Sequence, residues 1–272
     1  MLSEVDVPLL PTHLDLWQLM DWQPDDAQLE AFQKLYALIL AGNQVLNLTR
    51  LTEPEDFWEK HLWDSLRGLQ PFLVQSAQNG LSQSLSEVKP NMAPTVIDIG
   101  TGAGFPGVPG AIARPDWQVT LLDSTHKKVQ FLEQLATQLG LKNIVALADR
   151  VEMVGQSPQH RAAYDVALLR AVAPASVCAE YGLPLLKAGG IAVLYRGQWS
   201  EADTANLKPV VQHLGGTIEA VETFQTPLTE GDRACLYLRK VGSTPPDFPR
   251  AVGIPTQKPL DFDSSNEHET SA

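Results

Sequence analysis

The chain of 272 residues has little cysteine, no long apolar run and no basic residue near its start. Its two cysteines, Cys178 and Cys235, form neither a metal-binding pattern nor a disulfide framework, so we expect reduced, buried thiols. The six histidines lack ligand spacing, and we predict no metal. No segment approaches the ~20 apolar residues of a membrane-spanning helix, and the acidic start lacks the basic region of a signal peptide. These absences favour a cytoplasmic protein with no membrane contact.

Basic residues are scarce overall, but they are unevenly distributed. The formal net charge is −12, from 32 acids and 20 bases. Residues 1–30 carry seven acids and no lysine or arginine, and residues 241–272 carry five acids against two bases. Residues 31–240 therefore hold 20 acids and 18 bases. Because the acidity is concentrated at the ends, the net charge does not exclude a nucleic-acid partner.

Composition and periodicity divide the chain into five segments. Residues 1–24 show no clear period and are predicted to be irregular, whereas residues 25–74 have the apolar spacing of helices and predict a small helical cap. Residues 75–94 are rich in Ser, Gln and Asn and predict a flexible insertion. Residues 95–240 predict the main domain. Residues 241–272 contain five prolines and predict a disordered acidic tail.

Within residues 95–240, strand patterns alternate with helix patterns, and the last two strands follow one another without a strong helix between them. The seven predicted strands are 95–99, 117–123, 144–149, 164–171, 191–196, 218–224 and 234–239. The predicted helices between them include 127–139, 174–186 and 200–214. This order predicts an α/β, Rossmann-like fold with a mostly parallel, doubly wound sheet that ends in an antiparallel pair.

Residues 95–110, read as TVIDIGTGAGFPGVPG, carry the clearest sign of a cofactor site. A β-branched apolar strand runs into the glycine-rich turn 100–104, where the backbone can approach a ligand closely. Phe105-Pro106-Gly107 then predicts the start of a helix. Strand, glycine turn and helix in this order are typical of a nucleotide-type cofactor site at the carboxyl end of a parallel sheet.

Two cofactor classes fit these glycines. Gly102, Gly104 and Gly107 match the dinucleotide pattern G-x-G-x-x-G. Asp98, Gly100, Gly102 and Gly104 resemble the acid-x-G-x-G-x-G pattern of class I S-adenosylmethionine (SAM) methyltransferases. A carboxylate before the glycines would repel a pyrophosphate, whereas SAM presents a cationic ammonium and sulfonium there. The sequence therefore favours SAM over a dinucleotide.

Polar residues after the next two strands extend the predicted cofactor site. Asp123 ends the second strand and is predicted to bind the ribose hydroxyls, with Ser124 and Thr125 on the same rim. The alternative is a helix-capping aspartate. Val151 and Glu152 follow the third strand and are predicted to lie beside the adenine. The alternative for Glu152 is a solvated surface acid.

Two arginines end the fourth and fifth strands and are predicted to orient and contact the substrate. Arg170 is predicted to lie beside the transferred methyl group, and Arg196 to face the same side. Arginine suits a phosphate or a guanine edge but is a poor general base. The alternative for Arg170 is a structural ion pair.

Two catalytic devices of other methylating enzymes are missing. The fourth strand is not followed by the Asn/Asp-Pro-Pro-Tyr/Phe of amino-methylating enzymes, and the chain has no Pro-Cys nucleophile of a cytosine C5 enzyme. A nitrogen with a free lone pair, such as guanine N7, needs neither device, because its methylation requires chiefly alignment.

Six motifs stand in order along the chain: NLT at 47–49, HLWDS at 61–65, DIGTGAGFPGVP at 98–109, LLDS at 121–124, ADRVE at 148–152 and LRA at 169–171. Together they resemble the bacterial small-subunit ribosomal RNA methyltransferase G family, also called glucose-inhibited division protein B, over about residues 25–240. The resemblance implies a class I methyltransferase fold with a seven-stranded sheet preceded by helices. It also implies SAM as cofactor and methylation of N7 of one guanine in 16S ribosomal RNA. We expect a monomer that acts on the small subunit or on an assembly intermediate.

The resemblance also implies individual site residues. Cofactor contacts carried over from the family fall on Gly100, Phe105, Val151, Glu152 and Arg170, with residues 123–125 at the ribose. Three further family positions, whose role is either RNA binding or structural, are Asn47, His61 and Arg150. The apolar neighbours of His61 favour a structural role for that residue.

Other functions stay open on the sequence. Within methyltransferases, the substrate is alternatively another RNA or a small molecule. The overlapping G-x-G-x-x-G pattern leaves a nicotinamide-dinucleotide oxidoreductase as a candidate from another enzyme class. A catalytically inactive RNA-binding module is the candidate outside catalysis.

Overall fold

The protein, seen in a computed structural model that describes residues 7–74 and 93–262, is built around a seven-stranded sheet in the order β3-β2-β1-β4-β5-β7-β6. Neighbouring strands among the first five are parallel, and β7 runs antiparallel between β5 and β6. The strands are β1 (Thr95–Ile99), β2 (Gln118–Asp123), β3 (Ile144–Ala148), β4 (Tyr164–Arg170), β5 (Leu186–Arg196), β6 (Gly216–Gln225) and β7 (Asp232–Lys240). The predicted α/β fold with a mostly parallel sheet is confirmed.

Helices precede the sheet, connect its strands and follow it. The α-helices are α1 (Leu14–Trp17), α2 (Asp26–Leu46), α3 (Pro54–Phe57), α4 (Asp64–Arg67), α5 (Gln70–Leu73), α6 (Gly107–Ala113), α7 (His126–Leu139), α8 (Val151–Gln156), α9 (Ala175–Gly182), α10 (Glu201–His213) and α11 (Ile254–Gln257). A π-helical turn, Trp58–Trp63, joins α3 to α4, and 3-10 turns cover Gln18–Met20 and Leu183–Leu185.

The centre of the sheet explains where a ligand can bind. In β1, Val96, Ile97 and Ile99 are all buried, as expected for a central strand covered on both faces. The chain runs from β1 outward to β3 and then returns to place β4 on the other side of β1. The loops after β1 and β4 therefore diverge, and such a reversal of strand order leaves a crevice at the carboxyl ends of the strands.

The helical cap and the sheet share one hydrophobic core. Phe32 of α2 and Trp58 of the π-helical turn belong to the same buried cluster as Val96 of β1 and Trp117 before β2. The opposite face of the sheet is covered by a second cluster that includes α9 and α10. Because apolar burial drives folding at roughly 25 cal/mol per Å², the cap is part of the folding unit rather than an attachment to it.

Both ends of the described chain are more ordered than predicted. The prediction that residues 1–24 are irregular is wrong for residues 14–20, which form α1 and a 3-10 turn with Trp17 and Met20 fully buried. The rings of Trp17 and Trp58 lie 5.1 Å apart, edge to face. This segment is too short to show a period, and it is held by tertiary contacts instead. Residues 1–6 lie outside the described residues.

The prediction of a disordered tail is wrong for residues 241–262. Arg250 makes an ion pair of 2.6 Å with Glu180 of α9, and α11 follows. Residues 263–272, and residues 75–92 of the predicted insertion 75–94, lie outside the described residues.

The fifth strand begins earlier than predicted. β5 starts at Leu186 and runs through Gly189 and Gly190, which the sequence suggested as a turn. A register shift between Tyr164 and Val166 of β4 absorbs the extra residues. The preceding predicted helix, 174–186, correspondingly ends at Gly182.

Candidate functional site

Two clefts open at the carboxyl ends of the parallel strands. The first, called here the β1–β3 cleft, has a volume of ≈ 180 Å³. Its lining residues are Ile99, Gly100, Leu122, Asp123, Ser124, Asp149, Arg150, Val151, Val172, Tyr181 and Thr256. The second, the β4–β5 cleft, has a volume of ≈ 490 Å³. Its lining residues are Asp64, Arg170, Ala171, Tyr195, Arg196, Gly197, Gln198, Trp199, Asp203 and Arg233.

Asp98 lies directly beneath the glycine turn and is 1% exposed. Its Oδ2 accepts hydrogen bonds from the Thr101 hydroxyl at 2.6 Å and from the Gly107 amide at 2.8 Å. Its Oδ1 is buried without a hydrogen-bond partner within residues 7–74 and 93–262. Burial raises the pKa of Asp98 to about 6, although the two hydrogen bonds oppose that shift. An unpartnered carboxylate oxygen at this depth favours a cationic partner.

The glycine turn brings the backbone to the cleft. Gly100, Gly102 and Gly104 all have positive φ, at 67°, 61° and 99°. A Cβ at Gly104 would meet Val108 Cγ2 at 2.7 Å, so that position is closed by packing. Among the described residues, a Cβ at Gly102 would have one neighbour within 4 Å, the Gly100 carbonyl oxygen at 3.9 Å. Gly102 therefore borders open space, and a ligand could approach its backbone closely.

The first amides of α6 are used within the protein. The Gly107 amide donates to Asp98, and the Val108 amide donates to the Gly104 carbonyl at 2.7 Å. In a dinucleotide site, amides at this helix end receive the pyrophosphate. With Asp98 bonded there, the geometry disfavours a pyrophosphate and supports the sequence argument against a dinucleotide.

Asp123 joins two backbone segments at the edge of the β1–β3 cleft. Its carboxylate accepts from the Gly102 amide at 3.1 Å and from the Thr125 amide at 2.8 Å, at the start of α7. Asp123 and Ser124 also line the β1–β3 cleft. Asp123 thus holds the glycine turn against the loop after β2 and presents its edge to the cleft.

The structure separates Val151 from Glu152. Val151 lines the β1–β3 cleft, as the prediction for the adenine side requires. Glu152 is only 1% exposed, so the alternative of a solvated surface acid is wrong. Its carboxylate accepts from Arg150 at 2.8 Å, the Tyr181 hydroxyl at 3.1 Å and the Gly253 amide at 3.0 Å. Burial alone would raise the pKa of Glu152, but these hydrogen bonds outweigh it and the pKa is lowered. The Glu152 side chain therefore ties structural elements together.

Arg150 and Asn47 are two of the three residues left between RNA binding and a structural role. Arg150 pairs with Glu152 and lines the β1–β3 cleft. Asn47 ends α2 in the left-handed region, with φ 48°, a conformation that asparagine adopts more readily than most residues.

The third residue, His61, links the cap to the glycine turn. Its ring stacks on Phe105, with centroids 4.3 Å apart. Burial, together with the charge of Arg170, lowers the pKa of His61 to about 3, so the ring is neutral at pH 7. Nδ1 then accepts from Arg170 at 3.3 Å, and Nε2–H donates to the Thr49 hydroxyl at 2.7 Å. Phe105, predicted as a cofactor contact, is 4% exposed and packs between the cap and the sheet.

Arg170 forms the ion pair that was the structural alternative for it. Its guanidinium donates to the Lys60 carbonyl at 2.8 Å and to Asp64 at 3.2 Å, which joins β4 to the cap. Arg170 was also predicted as a cofactor contact, but its side chain lines the β4–β5 cleft, on the other side of the β4 loop. Ala171, which also lines the β4–β5 cleft, precedes Val172 of the β1–β3 cleft and has φ 54°. A residue other than glycine in this conformation marks a strained turn.

The β4–β5 cleft is rich in arginine. Arg170, Arg196 and Arg233 face it together with Asp64 and Asp203, so the charged side chains of its lining give a net +1. Arg196 is held by a hydrogen bond of 2.7 Å to the Ala173 carbonyl. Trp199 adds an aromatic ring at the same rim. Cations beside an aromatic ring suit a phosphate and a nucleobase.

The sequence did not reveal every lining residue. Asp64 lies within the motif HLWDS, which offered a signal for it. Tyr181, Thr256 and Arg233 reach the clefts from α9, α11 and the start of β7. Their placement depends on how distant segments pack, so no local pattern marks them.

The β1–β3 cleft fits the SAM predicted from the sequence. The glycine turn next to this cleft adds Asp98, whose Oδ1 has no hydrogen-bond partner among the described residues, and Gly102, which leaves room for close approach. Asp123 offers a carboxylate for a ribose diol, and Val151 gives the apolar surface an adenine requires.

Comparisons with known proteins agree in one family. The sequence model of the family described as "rRNA small subunit methyltransferase G" matches residues 28–233. A protein of Trichormus variabilis named "Ribosomal RNA small subunit methyltransferase G" is 57% identical over 253 residues, 93% of this chain and 99% of that protein. Proteins of the same name are 52% identical in Trichodesmium erythraeum (95% of this chain, 98% of that protein) and 50% identical in Gloeobacter violaceus (90% and 91%).

Proposed function

The chain belongs to the rRNA small subunit methyltransferase G family, and on that premise we propose that it uses SAM to methylate N7 of one guanine in 16S ribosomal RNA. The observation that carries the proposal is the position of Asp98 Oδ1, which is buried beneath the open glycine turn and has no hydrogen-bond partner in the described part of the chain. This arrangement suits a cationic methyl donor and disfavours an anionic dinucleotide.

On the cofactor side, we assign different parts of SAM to different residues. Asp98 and Gly102 hold the amino-acid end, Asp123 and Ser124 the ribose, and Val151 the adenine. When bound, SAM supplies an electrophilic methyl group on a sulfonium. Glu152 and Phe105 act indirectly, because the first fixes α8 and the second packs the glycine turn against the cap.

The substrate side lies in the β4–β5 cleft. Arg196 and Arg233 are half-buried cations at its rim, placed to hold phosphate or a guanine edge. Arg170 is braced by the cap and contributes a fixed positive charge to the cleft wall. The two clefts meet at the loop after β4, so a base in one would face a methyl donor in the other.

The reaction requires no general base. N7 of guanine carries a free lone pair at neutral pH, and its methylation releases no proton from the base. His61, which accepts a hydrogen bond from Arg170, has both ring nitrogens engaged and is buried. Catalysis is then alignment and electrostatics, which these residues can provide without proton transfer.

The proposal extends to partner, oligomeric state and location. We propose that the substrate is the small ribosomal subunit or an assembly intermediate, because residues 31–240 are nearly neutral and offer little non-specific attraction to naked RNA. We propose a cytoplasmic monomer. In the described part of the chain, every helix is too short or too polar to cross a membrane.

The experiment uses SAM labelled in its methyl group, small ribosomal subunits from a strain lacking this activity, and the purified protein. Digestion to nucleosides should yield labelled 7-methylguanosine. Another methylated nucleoside would move the protein to a different substrate atom. Tight binding of NADH without binding of SAM would favour the oxidoreductase alternative, and SAM binding without transfer to any RNA would favour the inactive module.

A further inference from the structure

The segment that follows the sheet reaches back to the cofactor cleft, although the matched family region ends at residue 233. Thr256 of α11 lines the β1–β3 cleft, as Asp149, Arg150 and Val151 do. We propose that residues 241–262, called here the strap, form the wall of the cofactor site at its adenine end and that bound SAM packs against Thr256. This inference rests on the proposed function, because it takes SAM as the ligand.

The strap is anchored to α9 just before Thr256. The Arg250 guanidinium donates to both carboxylate oxygens of Glu180, at 2.6 Å from Nη2 and 2.9 Å from Nε. The Arg250 backbone amide donates to the same carboxylate at 2.9 Å. Glu180 is fully buried, so this ion pair holds the strap at a defined depth rather than loosely on the surface.

A second anchor joins the strap to the helix that begins the adenine side. The Gly253 amide donates to Glu152 Oε1 at 3.0 Å, and the Tyr181 hydroxyl donates to the same oxygen at 3.1 Å. Glu152 directly follows Val151, and both Val151 and Tyr181 line the cleft. The hydrogen bond between Gly253 and Glu152 therefore fixes the position of α11, and with it Thr256, relative to Val151 and Tyr181.

The base of the strap is also tied to the body of the protein. Arg161 donates to the carbonyls of Phe248 at 2.6 Å, Thr244 at 3.0 Å and Pro245 at 3.0 Å. Pro249 packs on Gly155 of α8, where a Cβ would meet the proline ring at 2.5 Å. The strap is therefore fixed to the rest of the protein at residues 244–249, at Arg250 and at Gly253, directly before α11.

Thr256 is expected to contact the ligand by van der Waals packing rather than by a hydrogen bond. Its hydroxyl donates to the Gly253 carbonyl at 3.0 Å, within α11. With the hydroxyl engaged there, the side chain offers the ligand mainly a packing surface. The Gly253 contact with Glu152 places α11 near Val151, which follows β3. At the ribose side, Asp123 ends β2 and Ser124 follows it. Thr256 thus borders the adenine rather than the amino-acid end.

The first test measures SAM binding by isothermal titration calorimetry in the full chain. T256W should raise Kd at least about tenfold by filling the adenine end. T256V has nearly the same size and loses only the hydroxyl, which is bonded to the Gly253 carbonyl, so Kd should stay within about twofold of the wild type. Q257W, a bulky change at the next, exposed residue of α11, is the matched control and should bind normally. Normal binding by T256W would overturn the strap proposal while leaving the enzyme assignment intact. Wild-type protein that does not bind SAM at all would instead defeat the proposed function, and the strap proposal with it.

A second test needs no substitution. Hydrogen exchange of the Gln257 and Lys258 amides, which donate to Gly253 and Ile254 within α11, should slow when SAM binds. Protection confined to the glycine turn and the β2 loop, with no change in α11, would contradict the proposal. For the variants of the first test, thermal unfolding compared with the wild type separates loss of binding from loss of folding.

Discussion

Asp98 is the residue on which the cofactor assignment most depends. One carboxylate oxygen accepts from the first amide of α6, and the other is buried without a hydrogen-bond partner among the residues that the structure describes. The raised pKa records that burial penalises the anion in the free protein. A bound ammonium would remove that penalty, so Asp98 links the protonation state of the site to cofactor binding.

D98N should weaken SAM binding about tenfold or more at pH 7, because the amide preserves an acceptor for Gly107 but removes the charge. In the wild type, affinity should fall as the pH drops through about 6, where Asp98 takes up a proton. Affinity in D98N should change little between pH 5 and pH 7. Calorimetric titrations at both pH values test this, and parallel pH profiles for the two proteins would show that another group controls binding.

His61 predicts an acid sensitivity of the fold. Its pKa is lowered in the folded protein, so the unfolded chain binds a proton first and acidification below about 6.5 favours unfolding. From pH 7 to pH 5, the wild type should lose up to about 2 kcal/mol of unfolding free energy relative to H61Q. Asp98, whose pKa is raised, shifts stability in the opposite direction and is common to both proteins. Urea unfolding at the two pH values measures this change. If the difference in unfolding free energy between the wild type and H61Q is the same at both pH values, the pKa of His61 does not differ between the folded and unfolded states.

Arg170 is expected to affect both folding and turnover, because its guanidinium bridges β4 and the cap while lining the β4–β5 cleft. R170K keeps the charge but loses the fork that reaches Lys60, Asp64 and His61 together. We expect about 1–3 kcal/mol lower stability and clearly slower methyl transfer. R233K, at a looser contact of 3.6 Å to Asp64, is the matched control for stability and should unfold nearly as the wild type does. Equal losses of stability in R170K and R233K would show that the Arg170 contacts with Lys60, Asp64 and His61 do not stabilise the fold specifically.

At the scale of elements, the glycine turn separates ligand contact from packing. G102A and G104A both put a Cβ at positive φ, which costs about 1 kcal/mol. Gly102 faces open space, whereas a Cβ at Gly104 would meet Val108 at 2.7 Å. G102A should therefore weaken SAM binding with a small loss of stability, and G104A should lose more stability than G102A. Urea unfolding and calorimetry on the same samples measure both, and equal stability losses would contradict the packing difference.

Elements with a strong period were predictable, and those held by distant contacts were not. β2 was predicted from residue 117 and begins at Gln118, and α7 was predicted from 127 and begins at His126, because apolar alternation and helical spacing are local properties. α1 and α11 have four residues each and show no period. Their order comes from Trp17 packed on Trp58 and from Arg250 paired with Glu180. Such pairs are 41 and 70 residues apart along the chain, beyond the reach of local patterns.

At the scale of the whole molecule, the fold and the cofactor class follow from sequence more readily than the details of the site. The order of strands and helices is encoded in successive local patterns, and the acid before the glycines decides the charge of the ligand. The roles of Glu152 and Phe105 required the packed structure, because each is buried between elements rather than exposed to the cleft. Thr256 shows the same limit, since a proline-rich segment gave no sign that it returns to the cofactor cleft.

The most direct measurement maps the methyl group on the RNA. Small ribosomal subunits from a strain lacking the activity are incubated with the protein and labelled SAM, and the 16S RNA is then cleaved by chemistry specific for N7-methylguanine. If one guanine N7 is the target, each subunit should gain close to one methyl group and a single new cleavage site at a guanine. Labelled RNA that resists this cleavage, or label spread over many positions, would contradict the assignment of one N7 target.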